Sequence, residues 1–261
     1  MVDAMADIER RFGGLSRLYG NEGATRIRAA HVVVVGVGGV GSWAAEALVR
    51  SGIGAITLVD FDQVAESNVN RQLQALSSTI GKAKVHALQE RFAEINADCR
   101  VYAVEEFVEP ETKDAPANWP QVLPQPDVSA VVDACDQVRA KTLLAAWAHR
   151  QKIPFITVGA AGGKELAHLV EVDDLAGVTH DPLLSQLRYR LRREYGFPKQ
   201  GKMKVSCVFS RENVKQPDAS CRVGDGADGS LNCSGFGSVV AVTATFGFVA
   251  AGHILSKLAH S

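Results

Sequence analysis

The chain has 261 residues, with 28 Lys+Arg against 29 Asp+Glu and a formal net charge of −1. That length fits one large α/β domain or two modest ones, and 46% apolar with 22% charged residues excludes a disordered or fibrous chain. The even charge balance excludes a wholly basic nucleic-acid coat but leaves room for a local basic patch.

A helical pattern covers 3–29, and HVVVVG (31–36) is a β-branched run ending in glycine, the mark of a buried parallel strand. A helix follows at 40–51, then the strand AITLVD (55–60), a long loop to 79, and the amphipathic helix GKAKVHALQERFAEIN (81–96). Strands at 99–105, 128–136 and 154–159 continue the pattern, with a helix at 137–151 between the last two. Strand alternating with helix predicts a Rossmann-like, doubly wound, mostly parallel α/β sheet. The regularity ends near 173. Beyond it come the basic stretch 187–204, the strand KVSCVFS (204–210), a Gly/Ser/Asp-rich loop at 211–234 and a final helix at 238–258. The chain therefore reads as a single domain: a core at 1–172, a substrate-facing basic insertion and crossover loop at 173–234, and a C-terminal helix segment at 235–261.

Five cysteines without a CxxC pair argue against a disulfide framework and a cysteine-built zinc site. The N-terminal MVDAMADIERRFGG lacks a signal-peptide core, so a cytoplasmic location is expected. The apolar stretch 238–255 is long enough to cross a bilayer. Its Ser238, Thr243, Thr245, Gly247, Gly252 and His253 fit a helix packed inside protein better, so membrane association is the weaker expectation.

GVGGVG (36–41) follows a strand and opens a helix, so Gly36, Gly38, Gly39 and Gly41 can bring backbone close to phosphate at the positive end of a helix. Asp60 ends the second strand, where an acid can hold ribose hydroxyls. NAD-binding proteins share both features. The residues after Asp60 separate the two classes: Asp62, Asn68, Asn70, Arg71, Gln72, Lys82 and Lys84 crowd the phosphate side. Hydride transfer leaves a pyrophosphate intact, whereas cleaving ATP requires cations for the departing diphosphate. DACD (133–136) ends the next parallel strand, where Asp133 or Asp136 can hold Mg2+ with hard oxygen ligands; one of them, Asp136 being the better candidate, can instead cap the following helix.

RLYG (17–20), GVGGVGSWAAEAL (36–48), the DFD…NVNRQ block, GKAK and DACD together resemble the ubiquitin-activating-enzyme-like adenylating enzymes, which include sulfur-carrier activators of thiamine and molybdopterin synthesis. The resemblance implies that Gly39, Asp60, Arg71, Lys84 and Asp133 carry ATP and Mg2+, and that Arg17 reaches the phosphates from the partner subunit of a homodimer. RFGGLSRLYG (11–20), CVFS (207–210), SGFGS (234–238) and VTATFGFVA (242–250) are similar to the tRNA threonylcarbamoyladenosine dehydratase branch. That branch implies ATP-dependent cyclisation of the modified base beside the anticodon, through adenylation of its threonyl carboxylate. The missing CxxC pairs agree, since sulfur-carrier activators commonly hold zinc with them.

Cys233 lies where related activators carry a thioester-forming cysteine, but the family cysteine sits one residue earlier relative to SGFG, at Asn232 here. Cys135 and Cys207 read as core. Arg188, Arg190, Arg192, Arg193, Lys199, Lys202 and Lys204 can track tRNA phosphates, with Tyr189, Tyr195 or Phe197 stacking on an unpaired base. The remainder of the chain carries 21 basic against 28 acidic residues, so the neutral total conceals an acidic body with one basic arm. The alternatives are adenylation of a small sulfur-carrier protein's C-terminus, a non-catalytic relay in a cysteine desulfurase system, and NAD-dependent redox.

Overall fold

The computed structural model describes residues 8–217 and 236–261. Among these residues seven strands form one sheet in the order β3-β2-β1-β4-β5-β7-β6. They are β1 (His31–Val35), β2 (Ala55–Val59), β3 (Arg100–Val104), β4 (Ala130–Asp133), β5 (Phe155–Val158), β6 (Val170–Asp174) and β7 (Ser206–Ser210). Every neighbouring pair is parallel except β6 with β7. The strand order reverses between β1 and β4, the place where doubly wound sheets open a crevice at their carboxyl ends. Both central strands are buried along their whole length, which explains why β1 is a run of valines with no polar alternation.

Among the described residues six helices cover the two faces: α1 (Ile8–Ala29), α2 (Gly41–Arg50), α3 (Lys84–Ile95), α4 (Val138–Gln151), α5 (Pro182–Glu194) and α6 (Val240–Ala259). The largest core cluster joins Leu48 of α2, Leu88 and Phe92 of α3, and Phe246 and Ile254 of α6 to one face of the sheet. Each such side chain contributes roughly 1.5–3 kcal/mol by leaving water. On the other face, Leu144 of α4 packs with Val33, Val131 and Trp147, while Leu184, Leu187 and Leu191 of α5 form a neighbouring cluster.

Three features go beyond the sequence pattern. The N-terminal helix breaks at Gly20, whose φ of 73° and ψ of 166° lie outside helical space. Residues 173–210 contribute to the sheet itself: β7 pairs with β5, and the antiparallel β6, which the sequence pattern does not announce, closes the sheet edge. VEVDD offers that edge strand only a short, weakly alternating pattern, and most of it is half-buried. Finally, α5 begins earlier than the basic run, at Pro182, where Asp181 caps it by accepting from the Leu184 N–H at 2.9 Å.

α6 has a mean hydropathy of 1.3 and the length to span a membrane, and half of it is buried inside the fold. It lies so close to α2 that a Cβ on Gly247 would sit 2.5 Å from the Val40 carbonyl oxygen and 2.9 Å from the Ala44 nitrogen. Gly247→Ala is therefore expected to destabilise the protein by about 1–3 kcal/mol through overpacking. A thermal melt checks this, and an unchanged Tm would contradict the close approach.

Candidate nucleotide site

A cavity of about 290 Å3 opens at the carboxyl ends of β1, β2, β4 and β5. Its floor is the turn after β1. Gly36 has a φ of 80°, and a Cβ there would lie 2.8 Å from the Ala134 carbonyl; a Cβ on Gly41 would overlap the Gly36 carbonyl oxygen. The two glycines let the turn close and the helix begin. Gly36, Gly38 and Gly39 line the cavity.

Asp60 is buried at the end of β2, and both its oxygens are used: Oδ2 accepts from the Val37 N–H at 2.7 Å and Oδ1 from the Asp62 N–H at 2.9 Å. Burial pushes its pKa above the ordinary aspartate value, against the pull of Lys84 and these N–H donors. A carboxylate that holds ribose hydroxyls must be ionised, so nucleotide affinity is expected to weaken on acidification at a higher pH than for an exposed aspartate. Calorimetric titration of ATP against pH checks this; an affinity independent of pH down to the ordinary aspartate range would contradict it.

The cations are held from the side. Lys84 opens α3, is buried, and donates to Asp62 Oδ2 at 2.6 Å. Arg71 lies over Gly39, whose notional Cβ would be 3.3 Å from the arginine stem. Its guanidinium donates to the Ser67 carbonyl at 2.7 Å and to Asn70 Oδ1 at 2.9 Å, and burial lowers its pKa. Trp43 of α2 donates to the Arg71 carbonyl at 2.9 Å, fixing that loop to the helix. Asp62, Arg71 and Lys84 all line the cavity.

Other expected residues stand behind the wall. Asn68 Oδ1 accepts from the Ala65 N–H at 3.0 Å, and Asn70 donates to the Ser238 carbonyl at 3.1 Å. Gln72 is buried and accepts from Gln74, which in turn donates to the Val37 carbonyl and props the glycine turn. Gly41 begins α2 beyond the lining. Lys82 pairs with Glu90. Arg17 is exposed on α1, away from the cavity lining of its own chain.

Asp133 is corrected most sharply. It is fully buried below the lining, with Oδ2 accepting from Lys141 Nζ at 3.2 Å and Thr157 Oγ1 at 2.6 Å, while Oδ1 takes the Cys135 N–H at 3.3 Å. Of the two acids in DACD, the one on the cavity wall is Asp136. It does not cap α4, whose cap is Gln137 with no side-chain bond. Among the described residues Asp136 has no hydrogen-bond or ion-pair partner, as suits a carboxylate available to a hard cation. The D-x-x-D spacing contained this outcome, but only the start of α4 decides which acid faces the cavity.

The loop after β5 forms the far wall with Gly159, Ala161 and Gly162. Gly163 donates to the Gly237 carbonyl and accepts from the Lys215 N–H, each at 2.8 Å, so both chain segments reaching the cavity from that side are tied to one residue. Phe107, 42% exposed, packs against Phe61 at 5.2 Å between ring centroids and belongs to the lining; no sequence signal points to it. Burial pushes the thiols of Cys135 and Cys207 well up and that of Cys99 to about 11, which fits packing roles. Cys233 lies outside the described residues.

The ThiF family model matches residues 13–261. The chain belongs to the ThiF family. Within it, the chain is 46% identical over 257 residues to the tRNA threonylcarbamoyladenosine dehydratase of Escherichia coli, covering 95% of this chain and 93% of that one. The crystal structure of that E. coli dehydratase in complex with ATP superposes with a TM-score of 0.83 at 45% identity, over 96% of this chain and 94% of the other. The molybdopterin-synthase adenylyltransferase of Salmonella typhimurium is 32% identical over 140 residues, 54% of this chain and 53% of that protein. Likeness to the dehydratases therefore includes the segment beyond the nucleotide core, and likeness to this sulfur-carrier activator does not reach as far.

Proposed function

We propose that this ThiF-family chain is an ATP-dependent, AMP-forming enzyme that dehydrates threonylcarbamoyladenosine beside the tRNA anticodon. The observation that carries the reading is one cavity lined by a glycine turn, by Arg71 and Lys84, and by the carboxylate of Asp136, which has no partner among the described residues. The near-full-length likeness to tRNA threonylcarbamoyladenosine dehydratases supports the choice of substrate.

A threonyl carboxylate is a poor electrophile. Attack of its oxygen on the α-phosphorus of ATP gives an acyl adenylate and releases diphosphate, whose growing charge Arg71 and Lys84 neutralise. The glycine turn holds phosphate oxygens with backbone N–H groups, and Asp60 orients the ribose. Mg2+ would supply further charge neutralisation for the phosphates, and Asp136 is the residue that would hold it. The ureido group of the same modification then attacks the activated carbonyl, closing a ring and expelling AMP; one water is lost overall. Both reacting ends belong to one molecule, so proximity drives that step.

Arg17 stands on an exposed helix next to Leu18, which is 72% exposed, consistent with presentation across a homodimer interface to the partner's phosphates. A cysteine desulfurase system is a further proposed partner, the cytoplasm is the proposed location, and Cys233 is the proposed nucleophile if a protein thioester intervenes. Product analysis tests the reading. ATP incubated with threonylcarbamoylated tRNA should yield AMP and diphosphate; formation of ADP and phosphate, or turnover with a Gly-Gly carrier protein alone, would overturn it.

A further inference from the structure

The basic run 187–204 divides once its contacts are known. Arg188 donates to the carbonyls of Leu175 and Val178 at 2.9 and 2.8 Å, Arg190 pairs with Glu194 at 2.8 Å, and Arg192 donates to the Pro198 carbonyl at 3.0 Å. Arg193 sits against the ring and hydroxyl of Tyr189 on the same helix. These arginines brace α5 and its exit. Phe197 is buried, its ring 4.7 Å from that of His149, so it is closed to base stacking; Tyr189 and Tyr195 are exposed.

The contact between His149 and Phe197 joins the end of α4 to the chain leaving α5. The β5–β7 register, with Ile156 opposite Ser206, brings the residues just before both strands to the same edge of the sheet. Arg150 and Lys152 from one side and Lys199, Lys202 and Lys204 from the other thus lie toward that one edge. All five are exposed, and among the described residues none forms an ion pair. The acids closest in the chain are already engaged: Glu194 by Arg190, and Asp174 by the N–H groups of Met203 and Lys204. Arg150 and Lys152 lie far from the basic run in sequence, so this grouping exists only in the fold.

We propose that Arg150, Lys152, Lys199, Lys202 and Lys204 form one phosphate-binding surface that grips the RNA backbone away from the reacting nucleotide. The inference rests on the tRNA reading above and adds where the RNA lies. Gly159 and Leu183 line the cavity. From there the surface is about 13 Å down β7 and about 16 Å down α5, at ~3.3 Å per strand residue and ~1.5 Å per helix residue. At ~3.4 Å of duplex axis per phosphate of one strand, that distance corresponds to roughly four to five nucleotides along a helical stem. Exposed lysines act as point charges for phosphate and carry no base specificity.

The test uses the full chain with a Lys152→Glu/Lys202→Glu double variant. Its tRNA affinity is expected to fall at least tenfold, with a log–log salt dependence shallower by about two units. ATP affinity should be unchanged, which reports an intact fold, and a Lys152→Arg/Lys202→Arg variant should restore binding. Wild-type affinity and salt slope in the charge-reversed variant would overturn the proposal, whether or not that variant loses association with an acidic protein. If instead the wild-type chain itself fails to bind tRNA while binding ATP, the functional reading fails first.

Discussion

Lys84→Met is expected to lower kcat for AMP formation by about 10²–10³-fold, the usual loss when one preorganised charge-stabilising donor is removed. The effect should fall on chemistry more than on folding. Lys84 is nearly buried, but its partner Asp62 has a side chain 54% exposed, so water can solvate that carboxylate once the ammonium is gone. The stability change should therefore be that of a surface pair, within about 1 kcal/mol. The discriminating measurement is single-turnover diphosphate release beside a thermal melt. A variant with unaltered kcat, or one whose lost activity merely tracks unfolding, would remove Lys84 from the chemistry.

The second large effect is the reverse case. Lys141→Met should leave the fully buried Asp133 without its counter-ion. Removing one partner of a buried pair typically costs about 3–5 kcal/mol, which for a chain of this size is a Tm drop of roughly 6–20 °C. Burial disfavours the Lys141 ammonium, yet Asp133 beside it prevails and holds its pKa above the ordinary lysine value. A raised lysine pKa contributes stability that is fully present at neutral pH, below the unfolded value, and is lost only as pH rises through the higher folded value. The destabilisation should thus be complete at neutral pH and shrink in strong alkali. The double variant Lys141→Met/Asp133→Asn should recover much of the loss, since an amide can still pair with Thr157. A double variant as unstable as the sum of the two singles would contradict the coupling.

The parallel core was legible because its signals are local. Valine runs ending in glycine or aspartate, with amphipathic helices between them, place β1, β2, β4 and β5 and hence the crevice at their ends. The glycine turn, Asp60, Arg71 and Lys84 take their places from their spacing after those strands. Three things escaped for physical reasons. β6 is a half-buried edge strand, so its composition lacks the apolar run that marks the others. Asp133 and Asp136 are chemically identical, and the residue at which α4 begins decides which points into the cavity. Lys141 looks like a solvent-facing lysine in its helix, and only the packing of α4 on β4 reveals a fully buried counter-ion. The basic arm was legible as charge but not as geometry, because most of its arginines are consumed by backbone carbonyls and a neighbouring glutamate.

Exchange of labelled diphosphate into ATP tests the central claim most directly. With Mg2+ present, exchange should appear only when threonylcarbamoylated tRNA is added, because an acyl adenylate must form before the label can return to ATP. Exchange with unmodified tRNA or without any tRNA, or none with the modified tRNA, would contradict the account.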